Sequence, residues 1–244
     1  MVDGEAAEVA RAEMLALFPE GFEEAGRGDE LELSAYTDAR GEARMQEVFG
    51  TIVASDVPAD WEERWRRFHR PVRAGGLWIV PPWEQAPKRR ESITIDPGRA
   101  FGTGAHPTTR LCLEFIGELE PGSLLDVGCG SGVVAIAAAK LGFGPVVGLD
   151  IDVYAIEAAA RNAAMNGVEP DFRLADALVE PLPAVDVAVA NLDERLVRGV
   201  APRLDCERLV TSGYFEPHVP VLDGFRTLAR RTLDGWAADL YGRE

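Results

Sequence analysis

The chain has 244 residues, 41 of them acidic and 25 basic, for a formal net charge of −16. At ~100–200 residues per domain this makes one large domain or two smaller ones, and 47% hydrophobic residues are enough for a packed core, which excludes global disorder. The acidic balance argues against direct nucleic-acid binding, because phosphate-tracking surfaces need clustered Lys and Arg. Cys112, Cys129 and Cys206 stand far apart and form no C-x-x-C pair. With His69, His106 and His218 they build neither a disulfide framework nor a zinc site, so three reduced, buried thiols and no metal are expected. Residues 1–5 lack the basic and apolar regions of a signal peptide, and the longest apolar stretch, 133–139, is too short to span a bilayer. A cytoplasmic protein without membrane contact is expected.

In chain order, residues 5–18 carry Ala, Val, Met, Leu and Phe at helical spacing. Residues 21–26 and 31–37 alternate and predict strands around the turn Gly26-Arg27-Gly28-Asp29. A polar helix over 39–49 and a strand over 51–54 follow, making 1–56 a small α+β unit. The next stretch, 57–94, holds four of the five tryptophans (Trp61, Trp65, Trp78, Trp83), then Pro81-Pro82 and Pro87. Trp61, Arg64, Trp65 and Phe68 share one side of a helix. It reads as a linker whose aromatics pack on the next domain, with a substrate-facing hinge as the alternative.

The third region, 95–244, contains a helix over 107–119 and then strands over 123–127, 146–150, 172–175, 185–190 and 208–212. Between them lie helices over 132–141 and 153–166, the second closed by Gly167, and one beginning near Glu194. Strands apolar on both faces that alternate with helices imply a doubly wound parallel α/β sheet, with its ligand at the carboxyl ends of the strands. Residues 216–223 leave little room for a helix. Residues 225–232 fit a helix by periodicity, yet Asp234-Gly235 before 236–241 suggests a hairpin.

The run Leu124-Leu125-Asp126-Val127-Gly128-Cys129-Gly130-Ser131-Gly132 carries the most chemistry. A buried strand delivers three glycines into a helix N-terminus, where bare backbone admits a bulky ligand and negative groups are favoured. Alone, this leaves a nucleotide, a dinucleotide and S-adenosylmethionine (SAM) open. Three details discriminate. The spacing is G-x-G-x-G, where the dinucleotide fingerprint is G-x-G-x-x-G. Asp126 suits a ligand ammonium but would repel a pyrophosphate. Asp150 ends the second strand, positioned to accept both hydroxyls of a ribose. Asp176, past the third strand, can accept an adenine amino group or be an ordinary loop carboxylate. Asn191, at the end of Val187-Ala188-Val189-Ala190-Asn191-Leu192, can orient a substrate amine or the methionine end of a cofactor, or simply cap the next helix.

Strand, loop and distal Asp together resemble the first two motifs of class I (Rossmann-like) SAM-dependent methyltransferases. A further run, Asp96-Pro97-Gly98-Arg99-Ala100-Phe101-Gly102-Thr103-Gly104-Ala105-His106-Pro107-Thr108-Thr109, places three glycines around one phenylalanine and ends at a helix start. With L-D-V-G-C-G-S-G, G-L-D-I-D and V-A-N-L it resembles the PrmA-type ribosomal-protein methyltransferases, which methylate amino groups of the large-subunit ribosomal protein L-eleven. The resemblance covers 57–244 well and the first 56 residues in outline. It implies a SAM-dependent protein-lysine N-methyltransferase with a small ferredoxin-like recognition domain, here with its first strand short or missing. It also implies two final antiparallel strands. It sets cofactor contacts on Thr109, Gly128, Asp150 and Asn191, beside Gly130, Gly132, Asp126 and Asp176 from the residue reading. Phe101, Thr103 and His106 match a lid over the cofactor, with His106 shaping the loop. Asn191 is the expected catalytic, amine-orienting residue. Other acceptors, such as a lysine of an electron-transfer flavoprotein subunit, and a non-catalytic SAM-binding module remain open alternatives.

Overall fold

In the computed structural model the chain divides into two units, Met1–Trp61 and Glu62–Glu244. Residues 10, 13–14, 17–18, 23–27, 30–35, 37–54, 70–87, 91–96 and 104–244 are described. The Trp61, Trp65 and Phe68 helix face and the lid residues Phe101 and Thr103 therefore lie outside the described residues.

In the first unit, residues 10, 13, 14 and 17 are helical. Strands β1 (Glu23–Arg27) and β2 (Glu30–Ser34) pair antiparallel with Arg27 opposite Glu30. The strands run through Gly26 and Arg27, where the sequence predicts a turn, so only residues 28 and 29 connect them. Helix α1 (Ala39–Phe49) starts at Asp38, whose Oδ1 accepts from the N–H groups of Arg40 and Gly41, both at 3.0 Å. The strand expected over 51–54 does not form. Val53 is 98% exposed, and β1 and β2 pair only with each other among the described residues, so this stretch has no ladder to join.

The second unit opens with β3 (Val72–Ala74), β4 (Leu77–Val80) and β5 (Ser92–Thr94), a three-stranded sheet in that order. Much of the stretch read as linker is thus built into this unit. Its alternation sets Ile79, Ile93 and Ile95 on one face, buried with Phe115 and Ile136 in a single cluster.

Helix α2 (Pro107–Ile116) leads into the main sheet. There follow β6 (Leu124–Val127), α3 (Val133–Lys140), β7 (Val146–Asp150), α4 (Val153–Asn166), β8 (Asp171–Leu174), β9 (Val185–Asn191), α5 (Glu194–Val200), β10 (Cys206–Phe215), β11 (Phe225–Leu233) and β12 (Trp236–Arg243). The sheet order is β11-β12-β10-β9-β6-β7-β8. The five strands from β10 to β8 are parallel, and β12 runs antiparallel to both its neighbours. Successive residues feed opposite cores: Leu124, Val187, Val189 and Val210 join α2 and α3, whereas Leu125, Ala188, Ala190 and Leu209 join Val197 and Val200 of α5. The second face has one short helix, and the irregular segments 175–184 and 216–224 help cover it. The turn between β11 and β12 has positive φ at both Asp234 (51°) and Gly235 (81°), the geometry of a two-residue hairpin. That turn makes 225–233 a strand, against its helical periodicity.

Helix α4 supplies one device that sequence reading does not show. Asn166 Oδ1 accepts from Thr94 N–H (2.8 Å) and its Nδ2 donates to Thr94 C=O (2.7 Å). One turn earlier, Asn162 Oδ1 accepts from Asp96 N–H (2.9 Å) and its Nδ2 donates to Asp96 C=O (3.2 Å). Two residues of strand advance about as far as four residues of helix, ~6 Å, so two amides at i and i+4 stand in for a neighbouring strand. Asn162 Nδ2 also donates to Ser131 C=O at 2.8 Å, tying the glycine loop to the same helix. Asn162→Ala removes three hydrogen bonds at once from a side chain 1% exposed. It should lower unfolding free energy by about 2–3 kcal/mol in urea titration. A change within ~0.5 kcal/mol, the scale of a neutral surface substitution, would contradict this reading.

Candidate functional site

The chain leaves β6 to build β7 and β8 on one side, then returns to build β9 and β10 on the other. The strand direction of growth reverses between β6 and β9, which opens a crevice at their carboxyl ends. The glycine loop and Asn191 meet there.

The loop is held by backbone and by one carboxylate. Gly128 and Cys129 both donate their N–H to Leu149 C=O (2.8 and 2.9 Å), and Gly132 N–H closes onto Cys129 C=O (2.8 Å). Gly128, Gly130 and Gly132 have φ of 72°, 51° and 79°, the left-handed region where a side chain is strained. At Gly128 an added Cβ would also lie 2.5 Å from Leu192 Cδ2, so β9 can end directly over the loop only if residue 128 is bare. Asp150 Oδ2 accepts from Gly130 N–H (2.9 Å) and Oδ1 from Asp152 N–H (3.0 Å), which fixes the carboxylate between the β6 and β7 loops. Ile151, 75% exposed, and Leu174, 56% exposed, add apolar surface beside it. Sequence reading missed Ile151, although an apolar residue between Asp150 and Asp152 at a strand end was a signal for it. Asp176 Oδ1 accepts from Leu178 N–H (2.8 Å), so this carboxylate shapes its own turn while staying half-buried.

Asp126 is 2% exposed inside β6, and its Oδ2 accepts from Ala135 N–H in the first turn of α3 (3.1 Å). Desolvation pushes its carboxyl up to about 7, against the Ala135 hydrogen bond, with the Asp150 charge adding to the rise.

Across the crevice, Asn191 Nδ2 donates to Thr109 Oγ1 at 3.4 Å, and Thr109 is 1% exposed in α2. The Asn191 Oδ1 is buried and accepts no hydrogen bond. A buried acceptor without a donor costs about 1–3 kcal/mol, which makes this oxygen a place for an incoming N–H. Helix α2 is capped by His106: its Nδ1 lies 2.7 Å from Thr108 Oγ1 and accepts from Thr108 N–H at 3.4 Å. Burial lowers the imidazole pKa, which favours the neutral ring that such a cap requires. The His106 ring meets Trp236 edge-on at 4.9 Å, and Trp236 stacks on Phe215 at 4.3 Å. The structure therefore brings Gly128, Gly130, Gly132, Asp150, Thr109 and Asn191 to one sheet edge, with Asp176 at the far end of the same edge. The loop backbone and the orphaned amide oxygen fit a ligand with both a polar amino acid end and a nucleoside.

Residues 4–215 match the family model described as ribosomal protein L11 methyltransferase (PrmA). A ribosomal protein L11 methyltransferase of Pseudomonas putida is 50% identical over 151 residues, 59% of this chain and 51% of that protein. One from Symbiobacterium thermophilum is 40% identical over 190 residues, 76% of this chain and 62% of that protein. The matched region thus spans about half to three-fifths of these relatives. The crystal structure of a ribosomal protein L11 methylase from Lactobacillus delbrueckii subsp. bulgaricus aligns with a TM-score of 0.63 at 29% identity, over 72% of this chain and 99% of that one.

The raised Asp126 carboxyl has a stability consequence. The native chain keeps a proton that the unfolded chain has lost, so this contribution falls as pH rises from the ordinary carboxylate range, ~4, to about 7. Asp126→Asn should gain stability relative to the unsubstituted chain, by roughly 2–3 kcal/mol, between about pH 5 and about pH 8. Thermal melts at both pH values check this, and parallel curves would refute it.

Proposed function

The chain belongs to the ribosomal protein L11 methyltransferase (PrmA) family, and we propose that it transfers methyl groups from SAM to lysine ε-amino groups, and to an α-amino group, of ribosomal protein L11. The observation that carries this reading is the buried, unsatisfied Asn191 Oδ1, set beside a loop of three left-handed glycines. An amine N–H is the donor this oxygen lacks.

SAM, when bound, supplies an electrophilic methyl group on a sulfonium. The backbone at Gly128, Gly130 and Gly132 would line its amino acid end, Asp150 its ribose, and Asp176 its adenine amino group. Exposed Ile151 offers the adenine ring an apolar face. Phe101 and Thr103 would close over it. The chain's own task is placement. Thr109 fixes the Asn191 amide through Nδ2, so Oδ1 points one lone pair at a fixed spot and orients the amine. The amine must arrive neutral, and a partly desolvated pocket promotes this by lowering its pKa. No side chain is assigned as an obligate base. His106 is engaged as a helix cap, which leaves it a shaping role.

Residues 1–56 are read as the recognition part, 57–94 as the connection and 95–244 as the methyl-transfer part. The net charge of −16 suits a basic protein substrate and disfavours nucleic acid. Among the described residues no helix is long and apolar enough to cross a membrane, in keeping with work in the cytoplasm.

Incubation of the chain with SAM and recombinant L11, read by intact mass, should show stepwise methyl addition on lysine. Failure to add any methyl would overturn the proposal. Asp150→Ala should weaken SAM binding by roughly 1.5–3 kcal/mol in calorimetry. Asn191→Ala should instead lower kcat, by about tenfold or more, with a smaller effect on SAM affinity.

A further inference from the structure

We propose that the segment 215–221 is a preformed wall against which the polypeptide carrying the acceptor amine lies, and that Arg230 is its positioning residue. This rests on the reading of Asn191 as the amine site. The family match ends at residue 215, so all of the segment after Phe215 lies beyond it.

Within seven residues, Phe215, Val219 and Val221 are 54%, 56% and 74% exposed. Single exposed apolar residues are ordinary, but here three fall within seven residues, at and just beyond the end of β10. Such a loop would be expected to collapse or fluctuate, yet its backbone is fastened at nearly every step. Arg230 Nη2 donates to Glu216 C=O (2.7 Å) and His218 C=O (2.6 Å). Tyr241 Oη donates to Pro220 C=O (2.8 Å), and Arg198 Nη1 to Val221 C=O (3.0 Å). Glu216 N–H donates to Gly235 C=O (2.8 Å). Arg230 is itself aimed from below: its Nη1 donates to Asp239 Oδ2 (2.9 Å), which also accepts from Tyr214 Oη (2.8 Å), and Asp239 is fully buried. The wall's shape is thus paid for before any partner arrives, which is how a surface gains affinity by preorganisation.

Position and charge identify the occupant. Phe215 stacks on Trp236, Trp236 meets His106, and His106 caps the helix whose Thr109 holds Asn191, so a chain of side-chain contacts links the start of the wall to the amine site. Phe215 and His218 also line an open pocket of about 520 Å³ together with Asp193, Glu194, Arg195 and Arg198. Arg198 spends its guanidinium on Glu194 and on Val221 C=O, and Arg230 is matched by Asp239. Asp193, Glu194 and Glu216 then outnumber Arg195 and Arg198. An apolar ledge with residual negative charge suits an extended segment of a basic protein, apolar side chains on the ledge and the amine at its end.

The test compares the full chain with a Phe215→Ser, Val219→Ser, Val221→Ser triple variant and with Arg230→Gln, using recombinant L11. Both should raise KM for L11, and its dissociation constant in fluorescence anisotropy, by tenfold or more, while SAM affinity in calorimetry and kcat stay within twofold. Because Arg230→Gln strands the buried Asp239 carboxyl, the surface triple variant carries the decision if that protein fails to fold. Unchanged KM and L11 affinity in the triple variant, with the parent chain active, would overturn the wall alone. A parent chain that neither binds nor methylates L11 would overturn the substrate reading and the wall with it. Self-association of the parent chain that the triple variant abolishes, seen by sedimentation, would show a second copy as the occupant and equally overturn the proposal.

Discussion

One carboxamide, that of Asn162, holds together the parts on which the crevice depends. It sits on α4, accepts from Asp96 N–H, and donates to Asp96 and Ser131 carbonyls, so one side chain joins helix, strand edge and glycine loop. This clamp gives the segment after β5 a partner on α4 and adds a hold on the loop after β6 to the one from the β7 side. With it, the loop is gripped from two directions. Asp150 holds Gly130 from the end of β7, and Asn162 holds Ser131 from behind. The three left-handed glycines can then stay in a strained-for-others geometry without fluctuating out of it. Leu192 closes over Gly128, and Asn191 takes its place by consequence of where β9 must stop.

Two carboxyls in the same sheet show how differently burial is handled. Asp126 accepts from the Ala135 backbone N–H, and desolvation shifts its carboxyl upward. Asp239 is equally buried and also shifted upward by desolvation, but Arg230 and Tyr214 oppose the rise. Asp126 sets a backbone N–H against burial, whereas Asp239 sets a guanidinium and a phenol hydroxyl against it. A buried charge kept with a partner costs less than one left alone, and its value here is geometric.

What could be read from sequence follows the range of the forces involved. Strands β6, β7, β9 and β10 and helices α3 and α4 announce themselves because both-face burial and helical period are local patterns. Gly128, Gly130, Gly132, Asp150 and Asn191 are legible because strand ends locate them. The Asp234-Gly235 turn outweighs the helical period of 225–232, since two consecutive positive φ values leave a helix no way to continue. Long-range pairings were invisible. Asn162 and Asn166 reach partners 66 and 72 residues away, and nothing in an Ala-rich helix distinguishes them from solvated amides. The burial of Asp126 is hidden for the same reason: spacing sets it two residues before Gly128, but only the packing of α3 shows that its Oδ2 meets Ala135 N–H. Residues 51–54 have strand composition and lack a partner, a defect no single segment reveals.

The bonds that Arg230, Tyr241 and Arg198 make to segment 216–221 all end on backbone carbonyls. A carbonyl is the same whatever side chain its residue bears. The side chains of Glu216, Val219 and Val221 are therefore uncoupled from these bonds, whereas His218 is tied by its own ring to Glu194 (2.6 Å). Replacing Val219 or Glu216 alters what the surface would recognise without loosening how it is held. The chain in this way separates a heritable shape from a mutable text written on it, and a lineage can retarget the surface by single substitutions while the sheet beneath remains as it was.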